Sequence, residues 1–599
     1  MNKLMGKSIL GLSNKEARNY FLEARNYVTV NLPPYYDVDA LLNKAVNEMG
    51  DKALNTQKFC PTVTGKKQGK AVNYSDYMGI NYTFQQNKTT STYRPLTIIH
   101  PYLYLDLVNT LTMEENWDIF VNRFSDLEEI TKEKILCKSI PFVIDNKNDD
   151  KKEKALNFWQ EIEQESIKLS LEYNHILKLD ISNFYGSIYT HTIPWSIHGE
   201  EESKNSRSDM KIYNSLLGNK LDKKFQHMNY GETVGIPQGN AISDLVSEIL
   251  LAYIDSLLVK KLQEIQIEEY KILRFRDDYR IFTKNSDDAS KIKKELIIIF
   301  QRHKLALGEN KTEKSSDIVL NSIKEDKLFW IEHDPVIKIT TDKIYQMPYE
   351  FLKKSLGKHK GKKLKDKWFS KYHKKFVAHN RIYKATVQKH LFIIKMFADK
   401  YPNSGQLIGA LSEFEKRVQD FEYKDFESTG TQIDVLISVL VDIIKNNPKI
   451  TEHGLKLLSV LLEKINYQLS FSEMWDSIGS GTVVLTDFAR KVSLLDRINK
   501  KVLSNNSNDY LEIWSQRLVI RNLEDESELI NAYVEKNNNE LTKLCVAVVK
   551  YEECEPIFNQ DWLRDKYKID ETIFINKEVI ASLSEVISNT EINDSEYPF

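Results

Sequence analysis

Two adjacent aspartates, Asp277 and Asp278, stand between two short hydrophobic arms, Ile272-Leu273-Arg274-Phe275 and Tyr279-Arg280-Ile281-Phe282. Neighbouring side chains in a strand point to opposite faces, so consecutive carboxylates serve one site only where the backbone turns between the arms. Arms rich in aromatic and β-branched residues around a short polar tip predict a tight β-hairpin with the acid pair at its tip. Such a tip suits a divalent metal and the chemistry of nucleotidyl transfer. The other Asp-Asp pairs, Asp149-Asp150 and Asp287-Asp288, lie in polar surroundings and read as solvated loops.

Upstream, the strand-like Leu177-Lys178-Leu179 runs into Asp180 and then Phe184-Tyr185. Alone, Asp180 reads as a turn or helix-capping aspartate. Beside the hairpin it becomes a third carboxylate. Phosphoryl transfer from a nucleotide needs oxygen ligands for Mg²⁺, which carboxylates on separate strands supply. Two metals about 3.5–4 Å apart can stabilise the attacking 3′-oxygen and the leaving pyrophosphate together. Between these segments lies Gly235-Ile236-Pro237-Gln238-Gly239, a turn whose backbone can approach a ligand closely, followed by a long amphipathic helix. Gln238 offers both a donor and an acceptor to a base or template.

The elements that must position these groups are legible as patterns. From Leu177 to about Ile337, short β-type runs alternate with helical ones, as in an α+β domain. Candidate strands are 175–179, 272–275 and 279–283, and candidate helices are 241–262 and 287–303. Residues 353–375 hold eleven lysines against one aspartate, with Trp368, Phe369 and Tyr372 interleaved. That segment reads equally as a solvated linker or as a surface tracking a nucleic-acid backbone through Lys358, Lys360, Lys362 and Lys363. Beyond about 380 the spacing is helical. Runs at 433–440 and 454–462, separated by the helix stop Asn446-Asn447-Pro448, suggest a helical-repeat array without a sharp period.

Composition sets bounds. A chain of 599 residues exceeds one hydrophobic core, so two or three domains are expected. A net charge of −2 confines nucleic-acid binding to a local basic patch. Four scattered cysteines, Cys60, Cys137, Cys545 and Cys554, argue against a disulfide framework or a Cys-rich zinc site. With no apolar run of spanning length and no signal-peptide pattern, a cytoplasmic protein without membrane partners is expected.

Together, the three segments resemble motifs A, B and C of the reverse-transcriptase palm. Asp180 with Phe184-Tyr185 matches D-x-x-x-[FY]-[FY], Ile236-Pro237-Gln238-Gly239 matches [LI]-P-Q-G, and Phe275-Arg276-Asp277-Asp278 matches [YF]-x-D-D. Arg94-Pro95-Leu96-Thr97-Ile98 looks like the fingers motif, and Leu307-Gly308-Glu309-Asn310-Lys311 like motif D. The resemblance implies catalysis by Asp180, Asp277 and Asp278, and a metal set of these three with Ile181. Mg²⁺ is the implied cofactor, with Mn²⁺ as the alternative. It further implies nucleotide binding by Arg94, Tyr185, Gln238, Gly239 and Lys311: Arg94 on the triphosphate, Tyr185 as a gate against the ribose 2′-OH, and Lys311 near the leaving group.

The implied fold is an α+β right-hand polymerase, with fingers and palm of reverse-transcriptase type, followed by an all-α helical-repeat domain. Its expected parts are 1–140 (N-terminal region and fingers), 141–337 (palm, motifs A to D), 338–380 (basic thumb-like or linker segment) and 381–599 (helical repeats). With no HNH, RNase H or integrase signature, the arrangement is similar to the bacterial phage-defence reverse transcriptases of the abortive-infection and defence-associated group. That likeness implies deoxynucleoside triphosphates as substrates, a DNA product, synthesis that is untemplated or protein-primed in some members, a non-coding RNA partner in others, and homo-oligomers through the helical domain. A catalytically reduced RNA-binding scaffold and an RNA-templated enzyme derived from a retron or intron are the alternatives. The priming tyrosine is unknown, with Tyr35 and Tyr36 as guesses, and the partner of Arg276 (RNA, DNA or nothing) is open.

Overall fold

The computed structural model describes residues 7–62, 70–87, 92–143, 161–308, 312–345, 376–421, 425–426, 432–464, 497–498, 509–514, 539–550 and 555–582. Lys311 and the lysines at 358, 360, 362 and 363 lie outside them. The chain forms two compact units, Met1–Ile323 together with Val502–Glu596, and Lys324–Lys501.

The first unit is α+β. A hairpin of β1 (Tyr82–Asn87) and β2 (Tyr93–Ile98) precedes the helices α1 (Pro101–Leu111) and α2 (Glu114–Thr131). A five-stranded sheet follows, built from β3 (Ile135–Cys137), β4 (His175–Asp180), β5 (Tyr270–Phe275), β6 (Asp278–Thr283) and β7 (Glu313–Ser315) in the order β3-β5-β6-β4-β7. Only β3–β5 is parallel; the other pairs are antiparallel. The expected hairpin arms are therefore two of its three interior strands, with β6 at the centre, which is why β6 is buried at every position after Asp278.

Alternation gives the sheet two distinct faces. Ile176, Leu273 and Phe282 share one, in a core cluster with Leu169 and Ile318. Asp180 and Asp278 stand on that same face by register. The opposite face carries Arg274 and Tyr279 and packs on α3 (Ala241–Glu264) and α4 (Ser286–Arg302). Asn240 caps α3 by accepting the Ser243 N–H at 2.9 Å. The amphipathic helix expected here is instead buried nearly all round, since it is clasped by α2, by α4 and by the short helix Thr192–His198 as well as by the sheet. The Asp287-Asp288 pair opens α4, where carboxylates complement the positive end of the helix dipole.

The C-terminal stretch, expected to continue the helical domain, returns to the first unit. Tyr36 donates its hydroxyl to the Leu541 carbonyl at 3.0 Å, Trp514 its indole N–H to Asn31 at 3.2 Å, and Asn539 its amide to the Tyr82 hydroxyl at 2.9 Å. Arg564 donates to the Cys60 carbonyl at 2.8 Å. These bonds satisfy polar groups that burial of the flanking aromatic rings would otherwise strand.

In the second unit, α5 (Glu325–Ile337) leads into an antiparallel pair, β8 (Lys338–Tyr345) and β9 (Phe376–Tyr383), paired along their full length. The expected basic segment thus begins and ends in strands. Beyond it come α6 (Val387–Lys400), α7 (Gln406–Val418), α8 (Ile433–Asn446) and α9 (Thr451–Glu463). The helix stop at Asn446-Asn447-Pro448 lies where the sequence places it. Among the described residues, no helix is long and apolar enough to cross a membrane.

Candidate active site

Strand β4 ends at Asp180 and β6 begins at Asp278, and these two residues are directly opposite in the antiparallel register. Cross-strand neighbours share a face, with Cβ atoms about 4.5–5.5 Å apart. Both carboxylates therefore leave the sheet on the side away from α3. Phe275 pairs with Asp278, which leaves Arg276 and Asp277 as a two-residue turn. The acid pair is thus divided, with Asp277 in the turn and Asp278 on the strand. The Asp277 carbonyl accepts the Ile181 N–H at 3.2 Å, which ties the turn to the end of β4. Ile181, having no polar side-chain atom, offers a cation only its carbonyl. On the far side, Ala306 accepts the Ser182 N–H at 2.8 Å and Gly308 donates to the Asp180 carbonyl at 2.7 Å, so the expected motif D segment runs past Asp180.

Asp180 is buried, while Asp277 and Asp278 are half-buried. These carboxylate and carbonyl oxygens are hard donors of the kind Mg²⁺ and Mn²⁺ take, so the donor chemistry fits the implied ion. Among the described residues, no three His, Cys, Asp or Glu side chains are gathered into a metal-holding cluster.

The Pro-Gln-Gly loop is fastened on both sides. Gly235 and Gly239 take φ values of 90° and 115°, which L side chains rarely adopt. Gly235 donates to the Ile188 carbonyl at 2.8 Å and Ile236 to that of Tyr185 at 3.0 Å. The Gln238 carbonyl accepts the Thr97 N–H at 2.8 Å, and that of Gly239 accepts the Thr29 N–H at 2.8 Å. Residues from motif A, motif B and the fingers strand therefore meet at one loop. Arg94 is exposed three residues before Thr97 on β2, roughly 10 Å along the strand from that contact.

Tyr185 is buried, and its hydroxyl donates to Asp244 Oδ1 at 2.6 Å. Burial and the adjacent carboxylate raise its pKa well above the ordinary value, which keeps the hydroxyl protonated as a donor. The other oxygen of Asp244 meets the Arg276 guanidinium at 2.7 Å. Arg276, whose partner was open from sequence, is thus paired with a carboxylate of this chain. Beneath the turn, Arg274 is buried between Glu248 at 2.9 Å and Asp255 at 2.7 Å, and its NH1 also reaches the Arg276 carbonyl at 3.3 Å. Burial opposes its charge, but Asp255, Cys137 and Glu248 outweigh that and hold its pKa above the ordinary value. Asp244, Glu248 and Asp255, all on α3, were not expected from sequence. An acid in a helix's first turn reads as a complement to the dipole, and nothing local to Asp244 points to partners 59 and 32 residues away.

Residues 86–362 match the reverse transcriptase (RNA-dependent DNA polymerase) family. No curated protein matches the chain. Among solved structures, it is similar to apo telomerase from Candida tropicalis at 12% identity, over 82% of this chain and 72% of that one, with a TM-score of 0.25. It is also similar to telomerase from Candida albicans, in complex with a fragment of telomeric RNA, at 10% identity over 73% and 67% of the two chains, with a TM-score of 0.24. Overlaps this shallow carry no argument. The family match covers every palm motif, so the chain carries a reverse-transcriptase domain and is an RNA-directed DNA polymerase by class.

Proposed function

We propose that the chain is a divalent-cation-dependent polymerase that adds deoxynucleotides at the edge formed by Asp180, Asp277 and Asp278, and that it acts in bacterial defence against phage. The register that sets Asp180 opposite Asp278, with Asp277 in the adjoining turn, carries the catalytic part of this reading. Asp180, Asp277, Asp278 and the Ile181 carbonyl would hold the cation, whose chemistry is to stabilise charge on the phosphoryl oxygens. Around it, the Tyr185 ring faces the sugar, Gln238 and Gly239 shape the base or template pocket, and the Arg94 guanidinium clasps the triphosphate with a geometry suited to phosphate oxygens. Lys311 is proposed as the group near the leaving pyrophosphate.

The defence role is supported by the likeness of the motif set, followed by helical units, to the abortive-infection and defence-associated enzymes. Homo-oligomers and a non-coding RNA partner belong to the same proposal. Protein priming is not assigned to Tyr35 or Tyr36. Both are buried, with their hydroxyls donating to the Ile513 and Leu541 carbonyls.

The test is Asp277→Ala combined with Asp278→Ala. Radiolabelled deoxynucleotide incorporation and protection of cells in a plaque assay should both disappear, with the circular dichroism spectrum retained. A folded double variant that incorporates as well as the parent overturns the catalytic reading. Sequencing nucleic acid that co-purifies with the parent separates templated, untemplated and protein-primed synthesis.

A further inference from the structure

A bulky ring excludes a 2′-hydroxyl only if it cannot swing aside, because the discrimination turns on the space of one oxygen atom. Tyr185 is held at both ends. Its carbonyl accepts the Ile236 N–H at 3.0 Å, which fixes the backbone to the Pro-Gln-Gly loop. Its hydroxyl, at the far end of the ring, donates to Asp244 at 2.6 Å. Asp244 is fixed in turn: its N–H reaches the Asn240 carbonyl at 3.2 Å in the first turn of α3, and its second oxygen pairs with Arg276 at 2.7 Å. The Asp244 side chain is only 13% exposed and Tyr185 is buried, so the charge-assisted bond between them is shielded from water and stronger than its surface equivalent, while the Arg276 side chain, 39% exposed, leaves the ion pair partly open to solvent. One carboxylate therefore joins the ring after Asp180, the helix behind the Pro-Gln-Gly loop and the turn that carries Asp277.

We propose that Asp244 is a positioning residue for substrate selection, holding the Tyr185 ring through its hydroxyl so that ribonucleotides are rejected, and anchoring the catalytic turn to the same point through Arg276. The proposal rests on the reading of Tyr185 as the sugar gate. It assigns the discrimination to the tethered ring rather than to ring bulk alone.

The experiment measures kcat/KM for a deoxynucleotide and for its ribonucleotide with the parent, Asp244→Ala, Asp244→Asn, Tyr185→Phe and Tyr185→Ala. The ratio belongs to the active molecules, so partial misfolding lowers both values without moving it. Tyr185→Phe keeps the ring and loses the tether, and Asp244→Ala removes the acceptor. Each should cut the preference for deoxynucleotides by about tenfold or more, chiefly through a lower KM for the ribonucleotide. Asp244→Asn keeps an acceptor oxygen and should restore much of the preference. Should Tyr185→Ala relax selection while Tyr185→Phe and Asp244→Ala retain the parental ratio, the tether is overturned and the gate stands. A parental ratio in Tyr185→Ala overturns the gate, and the tether with it. If Asp244→Ala incorporates neither nucleotide, the Tyr185→Phe ratio alone decides.

Discussion

Arg276 takes a φ of 52°, a left-handed conformation that costs an L side chain roughly 1–2 kcal/mol. Its side chain offsets that cost through the ion pair with Asp244, and its N–H donates to Ser139 Oγ at 2.9 Å. Arg274 holds the same turn from below by donating to the Arg276 carbonyl. Replacing Arg274 by leucine leaves Glu248 and Asp255 buried without their cation, a loss of about 3–5 kcal/mol by analogy with other broken buried pairs. The urea midpoint of Arg274→Leu should fall accordingly, with deoxynucleotide incorporation falling further as the turn loosens. A midpoint equal to that of the parent would show that the pair adds nothing net. Sequence alone could place Asp277 and Asp278 at a hairpin, because the arms declare themselves by composition. The guanidinium pairings were hidden, because their partners lie on α3, up to 32 residues away.

At the scale of elements, the site depends on backbone that only certain residues permit. The Pro-Gln-Gly loop reaches three neighbours through main-chain bonds, and Gly239 does so at a φ of 115°. Alanine at Gly239 should cost about 1–3 kcal/mol. Because the loop's anchors at Thr29 and Thr97 would be displaced, KM for the nucleotide should rise more than stability falls. Comparing thermal midpoint with KM for the Gly239→Ala variant checks this, and an unchanged KM would detach the loop from the nucleotide pocket. Helix α3 was located correctly by its pattern but misread as amphipathic. A local stretch reveals spacing, whereas burial on every side depends on α2, α4 and the sheet closing around it.

For the whole molecule, the return of the C-terminal stretch makes the N-terminal part of the first unit dependent on residues more than four hundred positions away, as the Tyr36–Leu541 and Trp514–Asn31 bonds illustrate. His100, at the start of α1, packs against Phe558 and Trp562 of that stretch at ring distances of 5.2 and 5.1 Å. Burial lowers its pKa to about 3. Between the ordinary histidine value, about 6.5, and that lowered value, the unfolded chain binds a proton the folded chain refuses. The stabilisation is therefore complete above pH 6.5 and declines as pH falls, by up to about 1.4 kcal/mol per pH unit for this one group. Urea titrations at pH 7 and pH 5 should show a smaller acid-induced loss for His100→Gln than for the parent. Equal losses would remove His100 as the source.

Sequence by itself located the three carboxylates of the candidate site and the strands that carry them. Asp180, Asp277 and Asp278 declare themselves through residue type, order and the period-two arms around them, all of which are local properties. The tertiary structure alone decided that Asp180 faces Asp278, that Asp244 joins Tyr185 to Arg276, and that the segments around Trp514, Leu541 and Arg564 pack on the first unit. Those outcomes depend on strand register and on packing between distant segments, and no local pattern encodes which remote carboxylate will neutralise a given guanidinium.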